Sequence, residues 1–214
     1  MKKTILRLAI NDSCYLTLAF FGKVKDIYLF DEVTIAYHQN RKKYILYTKN
    51  FWIAFLDTFA YLMPRVLNNQ WQLHPSINFD IGFLWSEYSE NRNKYNFVEA
   101  PLENSTYWVG LDNLFLVSQQ YGTWLYNKNN DIYLEITPCY KWHHIKPKKN
   151  ENYITYNQFI KNYQPIAVIQ LDRKIAQKWL KTINRLDKIA RKNYEKAVQQ
   201  EEVMARLNSS STIH

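Results

Sequence analysis

The stretch YWVGLDNLFLVSQQYGTWLYNKNNDIYLEITPCYKWHH, residues 107–144, decides the fold. It holds three short runs rich in aromatic and β-branched residues, at 114–117, 123–126 and 132–137, with polar turn-formers between them. That pattern reads as strand, turn, strand, turn, strand. The segment Asn127-Lys128-Asn129-Asn130-Asp131 predicts a turn, because Asn and Asp tolerate the left-handed region and hydrogen-bond their own backbone. A hairpin setting Trp124 and Leu125 against Tyr133 and Leu134 follows. Pro138 has no N–H to give a sheet ladder, so the last strand should end at or near Thr137.

On the N-terminal side, residues 4–10 and 15–21 predict two strands about the turn Asn11-Asp12-Ser13, with Leu16, Leu18 and Phe20 on one side by alternation. Further strands are expected at 27–30, 33–37 and 44–47, the last two flanking a charged turn at 38–43. The first fifty residues thus read as a β-meander. The opening MKKTILRLAI is basic and apolar, but Arg7 interrupts the run and Asn11-Asp12 closes it, so it reads as a strand and not a signal peptide.

From residue 51 the period changes. Phe51, Phe55, Phe59, Leu62 and Val66 recur every three or four residues, which predicts a helix capped by Asn50 and running to Leu67. Pro64 should kink it or end it near Met63. Residues 68–78 and 89–96 read as loops, and 81–88 has no clear period. After a basic linker at 141–152, a short helix is expected at 156–163 and a strand at 166–171. Asp172 then caps a long helix whose apolar stripe is Ile175, Trp179, Ile183, Leu186 and Ala190. The lysines and arginines read as spread over the rest of its surface.

The fold class is α+β: an antiparallel twisted sheet with one packed helix and a long basic C-terminal helix. Residues 1–171 form a single α+β domain, 172–207 the basic amphipathic helix, and 208–214 a disordered tail. Hydrophobic residues are 47% of the 214 and charged residues 22%, enough for a true core and against general disorder. No apolar run approaches the length of a membrane span.

The 17 Tyr, 11 Phe and 7 Trp exceed what one small core hides, so part of them is expected at a binding surface. Trp108, Trp124, Tyr126, Glu135, Tyr140 and Trp142 are the candidates. Glu135 stands out because Leu134 and Ile136 take the other strand face; if its own face is covered too, the carboxylate needs a partner. The four glycines are too scattered for a dinucleotide fingerprint or a phosphate-cradling loop. Cys14 and Cys139 make no disulfide framework, which suits a reducing, cytoplasmic setting.

Cys139, His143 and His144 are the tightest group of potential ligands. A zinc site needs about four ligands in tetrahedral array, and adjacent histidines on a strand point to opposite faces. A buried thiol beside surface histidines is the simpler reading, and no metal or cofactor is expected. His38 and His74 stand alone. An enzyme pairing His74 or His143 with a distant carboxylate is one alternative.

Charge separates the chain into two parts. The net charge is +9, and residues 172–196 carry nine Lys or Arg against three Asp or Glu. The body is nearly neutral and the last helix is basic. Lys174, Lys178, Lys181, Arg185, Lys188 and Lys192 are therefore candidate nucleic-acid contacts.

The pattern Thr123-Trp124-Leu125-Tyr126-Asn127, then Glu135-Ile136-Thr137-Pro138 and Tyr140, resembles an uncharacterised family of small bacterial cytoplasmic proteins. Tyr28-Leu29-Phe30-Asp31, Leu73-His74-Pro75-Ser76-Ile77 and Ile81-Gly82 extend the resemblance, which covers the chain to about Trp179. It implies no activity and no catalytic residue; proteins of this sort are often immunity partners of toxins. The expectation is a non-enzymatic protein acting by macromolecular binding, with a toxin-immunity role as its sharpest form, another protein as its partner, and nucleic acid as the alternative partner.

Overall fold

The computed structural model describes residues 3–49, 52–73, 81–90, 114–118, 120–143 and 146–210. The α+β architecture stands, with the strands divided between two antiparallel four-stranded sheets. The first is the meander β1 (Lys3–Ala9), β2 (Cys14–Phe21), β3 (Val33–Gln39) and β4 (Lys42–Lys49), paired in that order. Strict alternation in β2 sends Leu16, Leu18 and Phe20 into the core. Asn11 Oδ1 accepts from the N–H groups of Ser13 (3.0 Å) and Cys14 (2.8 Å), which closes the first turn.

The charged turn at 38–43 tightens to two residues, Asn40 (φ 50°) and Arg41 (φ 65°). Left-handed turns of this kind match the twist of the flanking strands, so His38, Gln39, Lys42 and Lys43 all enter the ladder. Residues 27–30, expected as a strand, are instead irregular after a 3-10 turn at Val24–Asp26. Asp31 Oδ2 takes the Tyr28 N–H at 2.9 Å, a local bond that replaces a ladder bond, while Ile27 and Leu29 still reach the core.

The second sheet comprises β5 (Leu114–Val117), β6 (Tyr121–Lys128), β7 (Asp131–Pro138) and β8 (Ala167–Leu171), again in order. The hairpin turns on Asn129 (φ 50°) and Asn130 (φ 68°), pairing Trp124 with Glu135 and Leu125 with Leu134. Asn127 is not part of the turn. It is fully buried in β6, where its Nδ2 donates to the Val66 carbonyl at 2.8 Å and its backbone bonds both Trp71 and Leu73.

Among the described residues four helices complete the fold. Helix α1 (Trp52–Leu67) buries Trp52, Phe55, Leu56, Phe59, Leu62, Met63 and Val66. Pro64 lies inside its last turns without ending it at Met63. The carbonyl deprived of a partner belongs to exposed Ala60, where water can satisfy it. Asn50, expected as its cap, lies outside the described residues.

Helix α2 (Ile81–Glu90) occupies the stretch without a readable period, and α3 (Tyr156–Lys161) starts on a capping box of Thr155 and Gln158. Helix α4 (Arg173–Ser210) starts at Asp172, whose Oδ1 accepts from the N–H groups of Lys174 (2.7 Å) and Ile175 (3.2 Å). It passes residue 207 and takes in 208–210.

One hydrophobic cluster runs from the inner face of the first sheet through α1 to Leu125, Ile132, Leu134 and Ile136 of the second, and closes on α4. A smaller cluster of Leu73, Ile81, Trp124 and Tyr126 lies on the other side of the second sheet, beneath α2. Among the described residues no helix is long and apolar enough to cross a membrane.

Candidate nucleic-acid interface

Most of the aromatic residues expected at a binding surface lie inside the protein. Trp124, Tyr126 and Glu135 are fully buried, Tyr140 is 6% exposed, and Trp142 is half-buried. Trp108 lies outside the described residues, as do His74 and His144. The reason is the second face of β7: α2 covers it, so Glu135 is enclosed as fully as Leu134 and Ile136 on the other side. The partner its carboxylate requires is the Tyr126 hydroxyl, which donates to Oε2 at 3.0 Å. That bond is a structural tie across β6 and β7.

The periphery of this cluster is also held by polar pairs. The Tyr156 hydroxyl donates to Glu87 Oε1 at 2.6 Å, and His143 Nδ1 meets Glu90 Oε2 at 2.8 Å, tying α2 to α3 and to the segment after β7. Trp142 Nε1 and the Lys148 N–H donate to Glu151 Oε2, while Lys141 pairs with Oε1. Burial pushes the Cys139 thiol up to about 12, so it stays protonated and is no nucleophile at neutral pH. Among the described residues no three His, Cys, Asp or Glu side chains converge to hold a metal ion.

The other candidate set behaves differently. Ala176, Trp179, Ile183, Leu186 and Ala190 of α4 are all buried at 1% exposure or less, which fixes the roll of the helix. Arg173 anchors its start on the carbonyls of Leu67 and Asn130, and Arg191 anchors its middle on Asp187 (2.8 Å) and Asp57 (2.7 Å). With those two arginines engaged, Lys174, Lys178, Lys181, Arg185, Lys188 and Lys192 remain, all exposed. Among the described residues none of the six forms an ion pair.

Their successive spacings are four, three, four, three and four. At about 100° per residue they fall within an arc of roughly 80°, centred about 150° round the helix from the buried stripe. They are thus a single row on the outermost face and not the even spread that composition suggested. At a rise of 1.5 Å per residue the row is about 27 Å long. Gln177, Leu180 and Asn184 flank it along a shallow groove. No family model, no curated protein and no solved structure matches the chain.

Like charges three or four residues apart on a helix repel, costing about 0.2–0.5 kcal/mol per pair. The row contains five such neighbouring pairs, with no interleaved carboxylate; Asp187, the one acid between Lys174 and Lys192, lies off it and holds Arg191. An array of this kind concentrates positive potential along a line. A linear polyanion relieves that repulsion, releasing its own counterions as it does so. The signal was legible as a 4-3-4-3-4 spacing; what hid it was the number of other charges on the same helix.

Proposed function

We propose that the protein is a non-catalytic binding protein whose partner is a nucleic acid, held by its phosphates along α4. The observation that carries this reading is the unpaired row from Lys174 to Lys192, turned outward by the burial of Trp179, Ile183 and Leu186 beneath it. Its length of about 27 Å spans roughly eight base-pair steps of a duplex at 3.4 Å each. Lysine and arginine on a convex helix neutralise phosphate without reading bases, so binding is general in sequence and steeply dependent on salt.

Titration of a labelled duplex oligonucleotide at stepped salt concentrations tests this. With five or six phosphates neutralised, log K falls against log salt with a slope of about −5. Charge reversal in a Lys178→Glu, Lys181→Glu, Arg185→Glu, Lys188→Glu variant abolishes binding and leaves the circular dichroism unchanged, since all four side chains are exposed. Affinity that ignores salt, or survives the reversal, overturns the proposal. Binding to phosphatidylserine vesicles with none to the duplex would make the row a membrane-surface contact instead.

A further inference from the structure

Among the described residues no helix covers the outer face of the first sheet, and its composition is unusual. The register places Lys3, Ile5, Arg7 and Ala9 of β1 beside Phe21, Ala19, Thr17 and Tyr15 of β2. Thr34, Ala36 and His38 of β3 continue those rows, followed by Thr48, Ile45 and Lys43 of β4. None of these outward positions is Asp or Glu. Ile5 is 63% exposed, Phe21 55% and Ile45 46%.

Between those large residues, half-buried Thr17, Ala19 and Thr34 form a low floor, in which Ala36 is buried at 1% exposure. One margin of it is an ordered stack. The Tyr15 and His38 rings lie 4.7 Å apart and within 8° of parallel, the Arg7 guanidinium lies 3.9 Å from the Tyr15 centroid, and Thr17 Oγ1 meets His38 Nε2 at 3.0 Å. At the opposite corner Lys3 Nζ stands 6.0 Å from the Phe21 ring.

We infer that this face is a platform for single-stranded nucleic acid, with the Phe21 ring and the outer edges of the Tyr15–His38 stack meeting bases and Lys3, Arg7 and Lys43 meeting phosphates. The inference goes beyond the α4 reading by naming a second surface and a strand class, and it rests on that reading for the choice of polyanion. A duplex hides its base faces and offers only phosphates, which the convex α4 row suits. A single strand offers flat rings as well, and flat rings need an open floor with exposed aromatic edges and faces. Four strands at about 4.8 Å spacing give a floor roughly 14 Å across, room for two or three bases.

The lack of acid matters as much as the cations. A protein partner of ordinary mixed charge would find no carboxylate here for its own lysines, whereas a nucleic acid needs none. Ala9 closes the row of Tyr15, His38 and Lys43, and its carbonyl accepts the indole hydrogen bond of Trp179, from the buried side of α4, at 2.9 Å.

The test uses the full chain and a fluorescein-labelled oligothymidylate beside the duplex. The wild type binds both. Phe21→Ala combined with Tyr15→Ala weakens oligothymidylate binding by about tenfold or more while changing duplex affinity by less than about twofold. Phe21 is half out of the protein, so Phe21→Ala alone keeps the fold and still shows part of the loss. Photocrosslinking of bromodeoxyuridine oligonucleotides should map adducts to β2.

Oligothymidylate binding untouched by these changes, or adducts confined to α4, overturns the platform and leaves the α4 reading in place. Binding of neither nucleic acid by the wild type overturns both.

Discussion

Trp179 of α4 donates its indole N–H to the carbonyl of Ala9 in β1 at 2.9 Å, joining two ends of the chain. The ring is 1% exposed and lies within the main core, so this contact seats the last helix on the first sheet. Trp179→Phe keeps most of the packing and strips a buried acceptor of its donor, costing about 1–3 kcal/mol. Trp179→Ala adds a cavity and costs about 3–5 kcal/mol. Guanidinium unfolding measures both, and a Trp179→Phe variant as stable as the wild type would show that the hydrogen bond contributes nothing.

Glu135 and Tyr126 form the buried tie of the second sheet. Tyr126→Phe retains the ring, stacked 5.7 Å from Tyr133, and removes the hydroxyl that reaches the carboxylate. A loss of about 1–3 kcal/mol is expected, read as a lower denaturant midpoint at unchanged slope. An unchanged midpoint would mean that the bond is not what holds Glu135 in place.

Gly82 lets α2 approach β7. A Cβ there would collide with the Thr137 hydroxyl and the Tyr163 hydroxyl, so Gly82→Ala forces the helix away from the sheet. The cost is about 1–3 kcal/mol, or roughly 2–10 °C in Tm for a chain of this size. Calorimetry decides it; a variant as stable as the wild type would show that α2 has room to shift.

Stability should fall with acid in two separate windows. His38 titrates below its ordinary 6.5, first because it is desolvated and then because Lys43 and Arg7 face it. The unfolded chain therefore takes up the proton first. The stability held by the neutral ring is complete above pH 6.5 and declines as pH drops through the lowered folded value. His38→Gln removes that decline.

Glu151 is held down to about 2 from 4.5, chiefly by Lys141, then by the Lys148 N–H and the Trp142 indole. Its contribution is complete above pH 4.5 and lost toward pH 2, and Glu151→Gln flattens this lower window. Unfolding midpoints measured from pH 7.5 downward separate the two. A His38→Gln curve parallel to the wild type above pH 5 would refute the first assignment.

The hairpin at Asn129-Asn130 and the cap at Asp172 were legible in sequence because each depends on a few adjacent residues and their own backbone. The same holds for α1, whose period is carried by Phe55, Phe59, Leu62 and Val66. The number of sheets was not legible, since nothing local to β4 says that β5 packs against it without pairing. Helix α2 has no readable period because two of its three fully buried positions, Gly82 and Ser86, are small or polar, leaving Ile81 as the one buried apolar side chain among those described. Residues 27–30 were over-read as a strand because apolar alternation there serves burial of Ile27 and Leu29 without a ladder.

For function, the amino-acid sequence by itself determined where the charge lies and which side of the last helix is apolar, since both follow from spacing along a chain of known rise and twist. It also determined that Glu135 would need a partner if enclosed. Only the tertiary structure decided that α2 encloses it together with Trp124 and Tyr126, that Tyr140 packs against Tyr156 and Phe159 of α3, and that none of the described helices covers the outer face of the first sheet. The difference is physical: periodicity belongs to one element, whereas burial is a property of the element that arrives from elsewhere in the chain to cover it.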